Sequence, residues 1–310
     1  MAPKVQQASV VRVEQRRALG RLADLRIQPR TLARYKVAVR EFLLWLSQHS
    51  HPLAASYDTL EGQLCDYVEF LWETGAPRSR ACDCLAAVQH YLRMRRRIPS
   101  AWNLVTCWQK AEVPSQAPPM PVLVACAMAG AAVACERRDI AVALLLAFCG
   151  YLRTGEVLQL CTNHVAVQDA QHMILALPTT KSSLRHGKQE MVVIRDATAV
   201  RQYQLLTAGM PFGSYIVQCS PQSFRKCFEA IIRHLKLQAC GLRPYSLRRG
   251  GATHAFQSGT EVQNIMLTGR WANLHTARLY LQDGVSRLAQ MQLTPATVRN
   301  LQHHARALLA

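Results

Sequence analysis

The stretch PSQAPPMP, residues 114–121, places four prolines in eight positions. No helix runs through such a stretch. Each proline lacks an amide donor and collides with the carbonyl four residues back, and the residue before it is pushed to extended backbone. A chain of 310 residues interrupted here is expected to fold as two packed regions joined by an extended connector. That division suits about two domains of ~150 residues each. The boundaries follow directly: residues 1–113 form the first domain, 114–121 the linker and 122–310 the second domain.

The first region reads as all helical. Leu32, Tyr35, Val39, Phe42, Leu43 and Leu46 recur at spacings of three and four, which predicts a helix over 29–49. A second is expected over 59–75, closed by Gly75, and a third over 79–97, opened by Ser79 and closed by a basic cluster. Residues 101–113 predict a fourth. The second region is mixed. Buried helices are expected over 122–136 and 138–151, and strands over 164–167, 172–178 and 190–195. The polar turn 179–189, with Gly187, separates the last two strands. Further helices are expected over 196–207, 221–237, 246–258, 261–269, 274–282 and 294–309, the last with Thr294 and Pro295 at its start. The fold class is therefore mainly α: a helical first domain, then an α+β domain with a small antiparallel sheet.

Charge narrows the partner. The chain carries 37 Lys and Arg against 19 Asp and Glu, a formal +18. The first 40 residues alone hold ten basic and two acidic residues. A polyanion is the natural partner, because each cation set against a phosphate releases counterions. Charge by itself admits a ribosome or an anionic membrane surface as well. The most apolar run, residues 140–152, is short of the ~18 residues of a membrane span and is followed at once by Arg153. Nothing at the N-terminus reads as a signal peptide, so a soluble intracellular protein is expected. The 11 cysteines are odd in number and scattered, with no C-x-x-C pair, so neither a disulfide framework nor a structural metal is expected.

Four separated features carry potential chemistry. They are CGYLRTGEVLQL (149–160), Lys181 in the polar turn, PYSLRRGGATHAF (244–256) and LTGRWANLHTARLYL (267–281). Taken singly, each has a plain reading. Arg153 can cap a helix and pair with Glu156. Lys181 can be a solvated turn residue, with Lys188 an equal candidate for any role there. Trp271 can be core, and Tyr280 an ordinary half-buried tyrosine. His254 and His275 read as packing or capping residues. Arg248 and Arg249 can lie on a solvated helix face, or an Arg here can face a phosphate, which its planar fork fits.

Taken together and in this order, the four boxes resemble the tyrosine recombinase (phage-integrase-like) family, and the resemblance extends over most of the chain. LRRGGATHAF and GRWANLHTARLY are similar to segments of recombinases from eukaryotic mobile elements of the DIRS-like group. The resemblance implies a core-binding domain followed by a catalytic domain, closing as a C-shaped clamp on duplex DNA. It places the first catalytic arginine at Arg153, with Glu156 its acidic companion, and the catalytic lysine at Lys181. It places the second arginine at Arg248, the His-or-Trp position at Trp271 and the nucleophile at Tyr280. Where the family usually has histidine this chain has Tyr245. A phenol mainly donates hydrogen bonds, so Tyr245 is expected to bond a phosphate oxygen.

The implied chemistry is transesterification at a phosphodiester. It needs a nucleophile, charge relief on the non-bridging oxygens and an acid for the leaving 5′ oxygen. Tyr280 would attack, Arg153 and Arg248 would clamp the phosphate, Trp271 would donate its indole N–H, and Lys181 would protonate the leaving group. No cofactor, metal or small-molecule substrate is expected, and Arg249 is expected to contribute chiefly to DNA affinity. Recombination between two duplexes implies a homotetramer on double-stranded DNA, in the nucleus if the host is a eukaryote and otherwise in the cytoplasm or nucleoid. Leu301, Ala305, Leu308 and Leu309 give the last helix an apolar side, suited to docking on a neighbour or on its own domain. Two rivals share the features: a type IB topoisomerase-like relaxing enzyme, and a DNA-binding protein with a degenerate site.

Overall fold

The computed structural model describes residues 13–14, 16–17, 27–93, 98–112, 116–178 and 189–309. The chain divides into two compact units, Met1–Ser115 and Gln116–Ala310.

The first unit is built from α1 (Pro29–Gln48), α2 (Tyr57–Glu73), α3 (Arg78–Tyr91) and α4 (Pro99–Ala111). Pro29 and Pro99 sit at helix starts, where a missing amide costs nothing. Ser56 caps α2 by accepting from the Thr59 amide at 3.1 Å. The apolar stripe predicted for α1 is partitioned: Phe42, Trp45 and Leu46 are buried, whereas Leu43 and Leu44 are exposed. Phe42, Trp45 and Tyr67 form one aromatic cluster, with Leu64, Leu71, Leu85, Ile98 and Val105 filling the space around it. The basic cluster at 95–97 lies outside the described residues.

The second unit is organised around two apolar helices, α5 (Val122–Ala134) and α6 (Arg138–Cys149). Ile140 to Phe148 are buried without exception, so α6 is a central helix with no solvent face. After α6 comes a single-turn helix, α7 (Thr154–Val157). Three antiparallel strands follow: β1 (Val165–Val167), β2 (His172–Leu177) and β3 (Glu190–Arg195), in the order β1-β2-β3. Ile174 pairs with Val193. Alternation buries Met173, Leu175 and Leu177 from β2, and Val192 and Ile194 from β3, against the helices. Then come α8 (Ala197–Thr207), α9 (Pro221–His234), α10 (Tyr245–Gln257), α11 (Val262–Gly269), α12 (Leu274–Arg278), α13 (Asp283–Met291) and α14 (Pro295–Arg306).

The terminal helix docks on its own unit. It lies along α5, and Gly130 makes the approach possible: a Cβ there would stand 1.9 Å from the His304 carbonyl oxygen. Leu301 and Leu308 are buried. Full burial of one leucine contributes about 1.5–3 kcal/mol. Gln202 Nε2 donates to the Leu308 carbonyl at 2.9 Å and Arg201 Nη1 to that of Leu309 at 2.7 Å. The Leu309 side chain itself is exposed.

Several elements differ from expectation. The helix expected over 79–97 starts at Arg78 and stops at Tyr91, with Leu92 and Arg93 in a turn. The helix expected over 274–282 stops at Arg278, and Leu279 and Tyr280 lie in a turn. A helix over Asp283–Met291 follows where none was expected. Its Asp-Gly opening has turn chemistry, and its apolar residues Val285, Leu288 and Met291 stay exposed, so neither a start signal nor a buried stripe marks it. All 11 cysteines are free. Among the described residues no helix is long and apolar enough to cross a membrane.

Candidate active site

The site is assembled from three backbone junctions. The first is the corner between α6 and α7. Gly150 closes α6 in close contact with the sheet, where a Cβ would stand 2.7 Å from Ile194 Cδ1. Arg153 then caps α7. Its amide donates to Glu156 Oε2 at 2.8 Å and its Nη1 to Glu156 Oε1 at 2.5 Å. Glu156 is buried and serves more than its neighbour. Arg270 Nη2 donates to Oε2 at 2.7 Å, and Arg248 Nη1 stands 3.9 Å from the same oxygen. One carboxylate thus gathers three guanidinium groups. Burial alone would raise its pKa. Arg270, the Arg153 amide and the Arg153 guanidinium outweigh burial and hold the carboxyl below its ordinary value.

The second junction is the start of α10. Neither of its adjacent arginines lies on a solvated face. Arg248 is fully buried; its Nη1 donates to the Tyr151 carbonyl and its Nη2 to the Gly269 carbonyl at 2.7 Å. Burial first, then Arg153 and Arg270, lowers its pKa to about 10. Arg249 is also buried. Its Nη1 donates to the Ala117 carbonyl at 2.8 Å, and its Nη2 to the Leu279 carbonyl at 2.6 Å and to Gln116 Oε1. The expectation that Arg249 chiefly serves DNA affinity is therefore corrected, because its donors are taken by the Ala117 and Leu279 carbonyls and the Gln116 side chain. The glycines beside it have the same cause. A Cβ at Gly250 would stand 2.2 Å from the Met120 carbonyl oxygen, and one at Gly251 1.9 Å from that of Phe148. The small residues of RRGGAT exist for close backbone crossing.

The third junction runs from the end of α11 through α12. Arg270 follows Gly269 in the left-handed region, at φ 56°, and turns its side chain back to Glu156. Trp271 is buried and stacks on Tyr280, with centroids 4.4 Å apart and planes at 25°. The Arg248 guanidinium carbon lies 5.2 Å from both ring centroids. The Trp271 indole N–H has no hydrogen-bond partner among the described residues. The Tyr280 and Tyr245 hydroxyls share a hydrogen bond of 2.5 Å. Burial would raise the Tyr280 phenol; the bond from Tyr245 and the charges of Arg248 and Arg153 more than offset it and bring the phenol below its ordinary value. Tyr245 moves the other way, up to about 12, through burial and then its bond to Tyr280.

Arg153, Tyr245, Arg248, Trp271 and Tyr280 thus meet in one place, as does Glu156. Lys181 and its competitor Lys188 lie outside the described residues. Sequence reasoning missed Arg270. The sequence offered no signal, because a basic residue at a helix end is ordinary and the left-handed backbone of Arg270 is visible only in the structure. Among the described residues no three His, Cys, Asp or Glu side chains converge as a metal site requires.

Solved structures with the same architecture align along most of the chain. The Tn1549 transposon integrase in complex with transposon right-end DNA is 11% identical, with a TM-score of 0.59, covering 90% of this chain and 96% of that one. This is the tyrosine-recombinase fold. A lambda integrase dimer bound to a COC′ core site is 13% identical, with a TM-score of 0.58 over 89% of this chain and 95% of that one. The XerH site-specific recombinase in a post-cleavage complex with palindromic difH substrate is 14% identical, with a TM-score of 0.56 over 84% and 78%. At these identities the likeness is one of fold. No protein-family model matches the chain, and no curated protein does. Within its recombinase fold, the α6–α7 corner, α10, the end of α11 and the turn after α12 carry the charged and phenolic side chains of the site.

Proposed function

We propose that the chain is a site-specific DNA recombinase that cleaves and rejoins double-stranded DNA through a 3′-phosphotyrosyl intermediate. The observation that carries this reading is the Tyr280 phenol, lying on Trp271 beside Arg248 and sharing a 2.5 Å hydrogen bond with Tyr245. A phenol held among cations is suited to attack phosphorus. The Tyr280 proton passes to solvent, and the Tyr245 hydroxyl then donates to the ionised oxygen and favours the phenolate. The Tyr280 oxygen forms the new bond to phosphorus while the bond to the 5′ oxygen breaks. Arg153 and Arg248 offset charge on the non-bridging oxygens, and the unpartnered Trp271 N–H offers one further donor. Lys181 supplies the proton to the leaving 5′ oxygen. Reversal of the same steps on a different 5′ hydroxyl exchanges strands.

In this reading residues 1–113 are a DNA-gripping domain, 114–121 a linker and 122–310 the catalytic domain. The formal charge of +18 suits a duplex, and the solved neighbours described above hold transposon right-end DNA, a COC′ core site and a palindromic difH substrate. Exchange between two duplexes cuts four strands, which calls for four copies of the chain on DNA, in whichever compartment holds its target.

The test is incubation with DNA carrying a nick beside the scissile phosphate, followed by denaturing electrophoresis. The short 5′-hydroxyl fragment diffuses away, so cleavage is trapped as a covalent protein–DNA band. A mobility shift on native gels without any covalent band makes the chain a binding protein. Relaxation of supercoiled plasmid with no recombinant product makes it a topoisomerase.

A further inference from the structure

Arg249 has no part in the mechanism above, yet it is among the most heavily bonded side chains near the site. It is 4% exposed. It holds Gln116 and Ala117, at the start of the second unit, and the Leu279 carbonyl, one residue before the proposed nucleophile. Its guanidinium carbon also lies 5.9 Å from the Tyr280 ring centroid. Two more bonds fix the same turn. Thr253 Oγ1 donates to the Tyr280 carbonyl at 3.0 Å and accepts from the Gln282 amide at 3.3 Å. The segment 116–120 is itself seated on α10, where the Met120 amide donates to the Ser246 carbonyl at 3.0 Å and Gly250 leaves room for it.

This arrangement has a physical consequence. Tyr280 does not sit within a helix that would fix its position; α12 ends at Arg278 and the nucleophile lies in the turn beyond. A turn of that kind holds a side chain only as well as its backbone is tied. The Leu279 carbonyl is free of helical obligation, and Arg249 is the side chain that takes it. A lysine could reach one of these acceptors but not all three, because only a guanidinium carries several donors in a fixed plane.

We infer that Arg249 is a positioning residue that sets the place of Tyr280 by strapping the turn at Leu279 to the chain segment Gln116–Ala117. The inference rests on the reading of Tyr280 as nucleophile. It also connects the connector region to the reacting oxygen, since a displacement of Gln116 is passed by one side chain to the Tyr280 turn.

The test uses the full chain and the variants Arg249→Ala, Arg249→Lys, Gln116→Ala and the Gln116→Ala/Arg249→Ala double. Two readouts use nicked DNA: the single-turnover rate of adduct formation at saturation, and the affinity, by titration, with its salt dependence. A third needs no DNA: alkaline ultraviolet titration of the Tyr280 phenol, as the difference from Tyr280→Phe. A misplacement of about 1 Å costs up to ~10²-fold in rate, so Arg249→Ala is expected to slow adduct formation ~10–100-fold, with Arg249→Lys in between. Affinity and salt slope stay as in the unmodified chain, because the Arg249 Nη donors are taken by Gln116, Ala117 and Leu279. The Tyr280 titration moves upward as its bond to Tyr245 loosens. Gln116→Ala slows cleavage while leaving the arginine in place, and adds little in the Arg249→Ala background.

An unchanged cleavage rate in Arg249→Ala overturns the inference. So does a loss confined to affinity with a reduced salt slope. If Arg249→Ala does not fold, Gln116→Ala decides alone: an unchanged rate and an unchanged Tyr280 titration overturn it. Absence of adduct in the unmodified chain is a failure of the catalytic reading instead, and the phenol titration still reports on the strap.

Discussion

Replacing Glu156 with glutamine removes one charge and almost no volume, and its cost can be worked from the site. The carboxylate lies 2.7 Å from Arg270 Nη2 and 2.5 Å from Arg153 Nη1. The Glu156 and Arg270 side chains are each 7% exposed, so that pair is shielded from solvent, whereas Arg153 is 38% exposed and its share is discounted. Removing one partner of a buried pair costs about 3–5 kcal/mol, because the other charge is left uncompensated. Arg270 keeps Glu190 at 3.5 Å, and glutamine retains one acceptor, which places Glu156→Gln at the lower end, about 3 kcal/mol. For a unit of this size each kcal/mol moves Tm by about 2–4 °C, so the unit Gln116–Ala310 should melt about 6–12 °C lower. Scanning calorimetry at pH 7.5 measures this. The pH dependence has a fixed sign. The folded state holds the Glu156 carboxyl below its ordinary value, so its contribution is complete above the ordinary carboxylate range and is lost as pH falls through the folded value. The gap between the two proteins should therefore close in acid. A variant melting within about 2 °C of the unmodified chain at pH 7.5 would refute the reasoning, since that is less than 1 kcal/mol.

Tyr245→Phe removes a donor to the Tyr280 oxygen, so the Tyr280 phenol should titrate higher and the alkaline rise of the cleavage rate should move to higher pH; an unmoved profile would separate Tyr245 from the nucleophile. Arg248→Lys keeps a charge but loses the unpartnered Nε–H left for a phosphate oxygen and the bonds to the Tyr151 and Gly269 carbonyls that aim it, and single-turnover cleavage should fall by ~10²–10³, the cost typical of a lost oxyanion donor. Lys181→Ala should slow cleavage of ordinary DNA severely and Lys188→Ala only mildly. DNA with sulfur in place of the bridging 5′ oxygen leaves without a proton and should restore Lys181→Ala but not Arg153→Ala. Rescue of Lys188→Ala instead would reassign the acid.

Most of the helical order was legible because burial imposes a period. Phe42 and Leu46, or Phe224, Phe228 and Ile232, mark their helices by spacing alone. The strands were legible as short apolar runs beside a polar turn, and the alternation that buries Met173, Leu175 and Leu177 is visible only in the structure. Asp283–Met291 was not, since its apolar residues face solvent and leave no buried stripe to read. The site residues were legible as motifs, but their partners were not. Glu156 was foreseen beside Arg153, three residues away; Arg270 meets it across 114 residues, a distance only the fold spans. Arg249 shows the same limit. Adjacent arginines look alike in sequence, and only the fold shows that Arg248 is held by the Tyr151 and Gly269 carbonyls and Arg249 by those of Ala117 and Leu279.

The central claim is that Tyr280 becomes covalently bound to DNA, and peptide mapping of the trapped adduct tests it most directly. The protein–DNA band formed on nicked DNA is digested with trypsin and nuclease, and the residual nucleotide is located by mass spectrometry. The account predicts a phosphonucleotide on the peptide containing Tyr280, and no adduct from Tyr280→Phe although that variant still binds DNA. The modification found on Tyr245, or an adduct persisting in Tyr280→Phe, would contradict it.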